Sequence, residues 1–210
     1  SAYCDLVKKK QIAYGERVNV CVPTGNFGNI LAAYIAKRMG LPLGRLICAS
    51  NSNNVLTDFF DTGVYDRNRP FHATVSPSMD ILISSNLERL LWFAAGEKET
   101  KRCMNELASS GRYAVSPAVK AELDRDFVAF WCDESETKEE IRRTYGEFNY
   151  LSDTHTAVAL NAARKYKENT GDDAKIIIAS TASPYKFAPA VCSALGIDDD
   201  GDEFAAIDAV

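Results

Sequence analysis

No apolar run in this 210-residue chain approaches the ~20 residues that span a bilayer, so no transmembrane helix is expected. The chain opens on SAYCDLVKKK, where the basic cluster follows the apolar residues. That is the wrong order for a signal peptide, and secretion is not expected. No Lys/Arg run exceeds Lys8-Lys9-Lys10, and 24 basic against 29 acidic residues leave a formal charge of −5. A sequence-independent grip on nucleic acid therefore has no electrostatic footprint. Histidine is scarce, with only His72 and His155, and the six cysteines contain no CxxC pair. Zinc-ligand spacing is missing, which disfavours a metal site. Cys21 and Cys48 sit inside apolar runs, as packed, reduced thiols of a cytoplasmic protein do.

What is present is ordinary globular usage, 46% hydrophobic and 25% charged, which excludes disorder and fits one domain or one and part of a second. Residues 17–22 form a short β-rich run between Gly15 and Pro23, and 30–39 carry a helical apolar period ending at Gly40. Residues 46–49 read as a second buried strand, and 55–60 open another helix. Strand, turn, helix, strand predicts a βαβ unit and an α/β fold with a parallel sheet. The middle reads as more helical. A helix is expected over 78–95, capped by Ser78 and ended by Gly96, followed by helices over 97–109 and 117–126 and a strand over 127–131. Residues 137–145 read as a charged, solvent-facing helix. The last third returns to alternation. A helix over 155–169 is capped by Asp153 or Thr154, 175–180 look like the strongest strand, and Ser183-Pro184 opens a helix toward Gly196. The parallel-sheet portion is expected to occupy 1–197, with the helical segment 78–126 packed on it, and 198–210 to be a solvated or frayed acidic tail.

The most informative segment is Pro23-Thr24-Gly25-Asn26-Phe27-Gly28-Asn29, directly between a strand and a helix. Glycines at 25 and 28 permit backbone turns that aim successive N–H groups into one concavity, and the following helix adds its positive dipole end. Such a loop holds a phosphate dianion without lysine or arginine. The alternative is a tight turn that uses its glycines only to bend. The loop is neither GxGxxG nor GxxxxGK[ST], so neither a dinucleotide fold nor a P-loop is supported.

VPTGNFGNILAAYIAKRMGLP resembles the phosphate loop and following helix of threonine synthase, a pyridoxal-phosphate (PLP) enzyme of fold type II, the tryptophan-synthase-β type. The resemblance continues, in the family's order, through SPSMDILISSNLERLLW (76–92), DTHTAVAL (153–160) and STASPYKF (180–187). It implies that the amides of Gly25, Asn26, Phe27, Gly28 and Asn29 cradle the cofactor's 5′-phosphate. It also implies that the Thr181 hydroxyl, or alternatively that of Ser180, faces the pyridine nitrogen. A neutral partner there leaves the ring less electron-withdrawing than an aspartate would. Ser84, Ser85, Asn86 and Arg89 become candidates for the substrate's phosphate or carboxylate, or else a packing and solvent face. His155 and Thr156 match the family's DPHTA block, where His155 is either a site residue or structural, and Lys186 matches its AKF lysine. The chain departs from the family at Asn29, Thr154 and Ser183, where Asp, Pro and His are usual; none of these removes a backbone donor or the Thr181 hydroxyl.

The family's Schiff-base lysine lies in a Phe-Lys-Asp motif upstream of the phosphate loop, and no such tripeptide occurs here. The chain therefore reads as a C-terminal part, catalytically inactive alone. With the missing N-terminal part restored, the resemblance implies conversion of O-phospho-L-homoserine and water to L-threonine and phosphate. Apolar surface normally covered by that part favours self-association of the isolated chain. Two other readings stay open: a non-catalytic module for phosphate ligands, and another PLP enzyme of the same fold type, such as a serine or threonine dehydratase.

Overall fold

The structure, a computed structural model, describes residues 2–198 and 202–209. A short helix α1 (Ala2–Lys8) precedes β1 (Val18–Pro23), α2 (Gly28–Arg38), β2 (Leu43–Ser50) and α3 (Val55–Thr62). After β3 (Val64–Asp66) and a 3-10 turn at Pro77–Met79 come α4 (Leu87–Ser110), β4 (Arg112–Ala114), α5 (Pro117–Asp126) and β5 (Phe127–Trp131). The last part holds α6 (Glu134–Phe148), α7 (Thr154–Thr170), β6 (Ile176–Ile178), a 3-10 turn at Pro184–Phe187, α8 (Ala188–Leu195) and α9 (Glu203–Ala209).

Four strands form a parallel sheet in the order β5-β2-β1-β6. Side-chain alternation sorts the two faces. Val18, Val20, Val22, Leu46, Cys48, Phe127 and Ala129 join Ile30, Leu31, Tyr34, Leu56 and Phe59 in one core. Cys21, Ile47 and Ala49 face the opposite side and join Val158, Ala159, Ala162 and Ala163 of α7 in another. Alanines at these α7 positions let one helix lie close across the sheet. Burial pushes the Cys48 and Cys132 thiols up to about 12, so both are inert packing groups.

From β1 the chain moves by a helical crossover to β2 on one side, while β6 pairs β1 on the other. The strand order thus reverses at β1, and the crevice beyond the carboxyl ends of β1 and β6 is a topological switch point, where open α/β sheets bind ligands. The loop over 24–27 and the segment over 179–183 leave the sheet at that point.

Several elements differ from the sequence expectation. The stretch expected as a helix from Ser78 is a 3-10 turn and irregular chain as far as Asn86, and the helix begins at Leu87. The Asp80 carboxylate takes the Thr74 N–H, the Thr74 hydroxyl and the amides of Asn51 and Asn53, which ties residues 74–80 to the end of β2 instead of to a helix. Gly96 breaks α4 with φ 76 and ψ 175. The 137–145 helix is longer and not simply solvent-facing: Asp133 and Glu136 form a capping box, and Thr137, Glu140, Ile141 and Thr144 are buried. The isoleucine run of β6 pairs only over Ile176–Ile178 and is half-buried, because it lies at the edge with β1 as its sole neighbour in the sheet. β3 and β4, absent from the sequence reading, form an antiparallel ribbon in which Tyr65 and Tyr113 stack at 5.3 Å. In the acidic end, residues 199–201 and 210 lie outside the described residues. Residues 203–209 form α9, whose Ala206 is fully buried in a cluster with Ala188 and Cys192, so this part is docked rather than frayed.

Candidate functional site

The loop after β1 is held from three sides. Below it, the Thr24 N–H donates to the Ala49 carbonyl at 2.8 Å, continuing the β1–β2 ladder, and the Thr24 hydroxyl donates to the Val22 carbonyl. Behind it, a Cβ on Gly25 would come within 2.8 Å of the Ser78 carbonyl, so glycine is required here by close approach. Phe27 adopts left-handed backbone (φ 62, ψ 13) directly before α2, a conformation costly for a side-chain-bearing residue. Its ring is 1% exposed, stacks on Phe60 at 5.9 Å and lies tilted against Phe127 at 5.8 Å; that packing holds the backbone in place.

Among the described residues, no protein acceptor takes the backbone N–H groups of Gly25, Asn26, Phe27, Gly28 or Asn29. The first amide of this segment to find one is that of Leu31, which donates to the Phe27 carbonyl. Six consecutive donors, those of residues 25–30, therefore stand open at the start of an 11-residue helix, beside a cavity of about 240 Å³. No charged side chain lines that cavity; Ser78, Asn26 and Asn29 do. The donor set is that of an anion cradle made from main chain alone.

The other sequence candidates fall into two groups. Ser84 is buried, and its hydroxyl donates to the Gly25 carbonyl at 2.7 Å. Asn86 donates to the Asn26 carbonyl from its side-chain amide at 2.7 Å and from its backbone N–H at 3.1 Å. His155 is also buried, with Nε2 accepting the Ser78 N–H at 3.2 Å and Nδ1 facing Asp153 at 3.4 Å. An acceptor Nε2 fixes the neutral tautomer with its proton on Nδ1. Thr156 donates to the Asp153 carboxylate, and its oxygen lies 3.3 Å from that of Ser180. Ser85, Arg89, Ser180, Thr181 and Lys186 are exposed. Thr181 follows β6 at the switch point, and its hydroxyl has no protein partner among the described residues. The Lys186 Nζ lies 5.6 Å over the Phe187 ring.

Sequence reasoning missed Ser78 as a wall of the cavity and Tyr65, whose phenol accepts the Ser84 N–H at 2.8 Å and donates to the Leu82 carbonyl. Neither left a local signal. A 19-residue separation across a ribbon brings Tyr65 to Ser84.

Asp153 caps α7 by accepting the N–H groups of His155 and Thr156. Burial alone raises its carboxyl, but hydrogen bonds from the His155 and Thr156 side chains and backbones outweigh it and hold the group below the ordinary 3.8. A carboxyl depressed in the folded state contributes stability above its unfolded pKa, and that contribution fades as pH falls through the folded value. In urea unfolding, Asp153→Asn is expected to cost about 1 kcal/mol near neutral pH, the difference between charge-assisted and neutral hydrogen bonds, with the difference from wild type shrinking below pH ~4. A difference constant down to acid pH would refute this account of the cap.

Comparison with known proteins follows the same lines as the geometry. The family described as "Threonine synthase, C-terminal" matches residues 156–208. Human "Threonine synthase-like 1" is 49% identical over 201 residues, covering 94% of this chain and 26% of its own length. Threonine synthase of Saccharomyces cerevisiae is 39% identical over 196 residues, covering 86% of this chain and 38% of its own. The structure of PLP-bound threonine synthase from Brucella melitensis superposes with a TM-score of 0.85 at 35% identity, over 99% of this chain and 45% of that one. The chain thus spans between a quarter and a half of the relatives it matches. The fold is the parallel α/β layer of PLP fold type II, the fold of the Brucella melitensis threonine synthase. Within that class, the chain is the counterpart of the C-terminal part of threonine synthase. Among the described residues, no helix is long and apolar enough to cross a membrane.

Proposed function

We propose that the intact protein is a cytoplasmic, PLP-dependent lyase that converts O-phospho-L-homoserine and water to L-threonine and phosphate, and that this chain supplies its cofactor-phosphate site. The observation that carries the reading is the set of five adjacent N–H groups, residues 25–29, open at the switch point of the sheet. Those amides and the dipole of α2 would hold the 5′-phosphate, and the Thr181 hydroxyl would face the ring nitrogen as an uncharged partner. When bound, the cofactor supplies the electron sink for carbanion chemistry. Asp153 orients the Thr156 hydroxyl, which lies against Ser180 and so steadies the segment that presents Thr181. Ser85, Arg89 and Lys186, exposed around this end of the fold, are the groups free to meet a substrate's phosphate or carboxylate. Ser84, Asn86, His155 and Thr156 serve the loop and its supports.

No lysine lines the cavity among the described residues. The proton traffic at the substrate's α- and β-carbons is accordingly assigned to a lysine elsewhere in the intact protein. The same observation favours, as a second reading, a module that binds phosphate esters without chemistry.

The intact protein supplied with PLP is expected to release phosphate and threonine from O-phosphohomoserine, while residues 1–210 alone release none. Deamination of serine or threonine without phosphate release would point to a dehydratase. Phosphate-ester binding with neither activity would leave only the binding module. On its own the chain presents the unpaired edge of β6 together with exposed Trp92 and Phe93, and is expected to self-associate. Elution from size-exclusion chromatography as a monomer at every concentration would contradict that.

A further inference from the structure

We infer that Ser84 and Asn86 are positioning residues that set the direction of the phosphate-cradle amides by holding the carbonyls on the far side of the same peptide units. The inference rests on the cofactor-phosphate reading above. In a planar trans peptide the C=O and N–H point in opposite directions, so fixing one aims the other. The Ser84 hydroxyl takes the Gly25 carbonyl at 2.7 Å, which turns the Asn26 N–H to the opposite side. Asn86 takes the Asn26 carbonyl with two donors, at 2.7 and 3.1 Å, and so turns the Phe27 N–H the same way. Both residues are themselves anchored. The Ser84 N–H sits on the Tyr65 phenol at 2.8 Å, and the Ser84 carbonyl accepts the Leu87 N–H at the start of α4.

Without the two side-chain donors, the Gly25 carbonyl loses its partner and the Asn26 carbonyl keeps only the residue-86 N–H at 3.1 Å, next to a cavity with no cation in its lining among the described residues. A peptide flip would then restore hydration to a carbonyl and present oxygen, not N–H, to the anion. The flip is local. It turns ψ of one residue and φ of the next, meets no Cβ at Gly25, and leaves the Cα atoms and the packed Phe27 ring in place. Ser84 and Asn86 therefore act on anion affinity through the main chain, with no need to touch the ligand themselves.

The test compares PLP with pyridoxal, which lacks the phosphate, by absorbance titration of the intact protein and its Ser84→Ala and Asn86→Ala variants. Asn86 is only half-buried, so its variant serves if loss of the buried Ser84 hydroxyl impairs folding. Ser84→Ala is expected to lower the preference for PLP over pyridoxal about tenfold, and Asn86→Ala, which keeps the residue-86 N–H on the Asn26 carbonyl, by a smaller factor, with pyridoxal affinity unchanged in both. General damage to the fold would weaken both ligands together and overturn the inference, as would a preference that stays at the wild-type value. A wild-type protein that binds the two ligands equally would instead remove the phosphate reading itself, and this inference with it.

Discussion

Phe27→Ala is expected to cost about 3–5 kcal/mol of stability and to abolish measurable preference for phosphorylated ligands. The ring is 1% exposed and packs against both Phe60 and Phe127, which stack on each other at 5.2 Å. Its removal leaves a cavity in the core between the sheet and α2, α3 and α4. It also releases a residue whose left-handed backbone is held by that packing rather than by a glycine's freedom. The two effects separate by comparison with Leu46→Ala, which opens a cavity in the same cluster at a β2 residue with no ring contact to Phe27. Urea denaturation should show similar losses for both. Only Phe27→Ala should lose the discrimination of PLP from pyridoxal. Equal ligand preference in the two variants would mean that the ring does not hold the cradle.

Arg164→Ala is expected to destabilise the chain by about 3 kcal/mol, without changing the amides of the loop. Glu140 on α6 is 3% exposed in its side chain, and Arg164 on α7 pairs with both of its carboxylate oxygens. Truncating the arginine strands a buried charge at the seam between the two helices. The neighbouring groove, lined by Glu136, Glu139 and Arg143, admits water, which keeps the cost toward the low end for such a pair. Replacing both partners by methionine should recover most of the loss, since apolar groups carry no desolvation penalty. A double variant no better than the single one would show that packing, and not the stranded carboxylate, dominates. α7 spans the sheet and carries Asp153 and Thr156 at its start, so the seam also fixes the support beneath Ser180.

Much of this architecture is legible in the residue order. β1, α2, β2, α3, α5 and β5 follow from local signals: β-branched runs for the strands, helical apolar periods closed by glycine, and Ser116-Pro117 at the start of α5. The glycine-bearing loop between β1 and α2 is legible as a row of main-chain donors, because such donors need only permissive residues in sequence. What misled was the stretch from Ser78 to Asn86. Its helical period is real, yet the Asp80 side chain draws it to Asn51 and Asn53, and the Asn86 N–H to the Asn26 carbonyl. Long-range hydrogen bonds to buried partners outweigh a local propensity worth only tenths of a kcal/mol per residue.

The residue order alone thus determined the class: alternating α and β elements and an N–H-rich turn with nothing basic in it. Only the folded molecule decided which way that turn's peptides face, that β6 lies on the opposite side of β1 from β2, and that Ser84 and Asn86 serve the loop from 59 and 60 residues away and His155 through Ser78. Backbone conformation is written locally by side chains that favour or forbid it. The orientation of a peptide plane depends on which donor reaches its oxygen, and that donor arrives through tertiary packing.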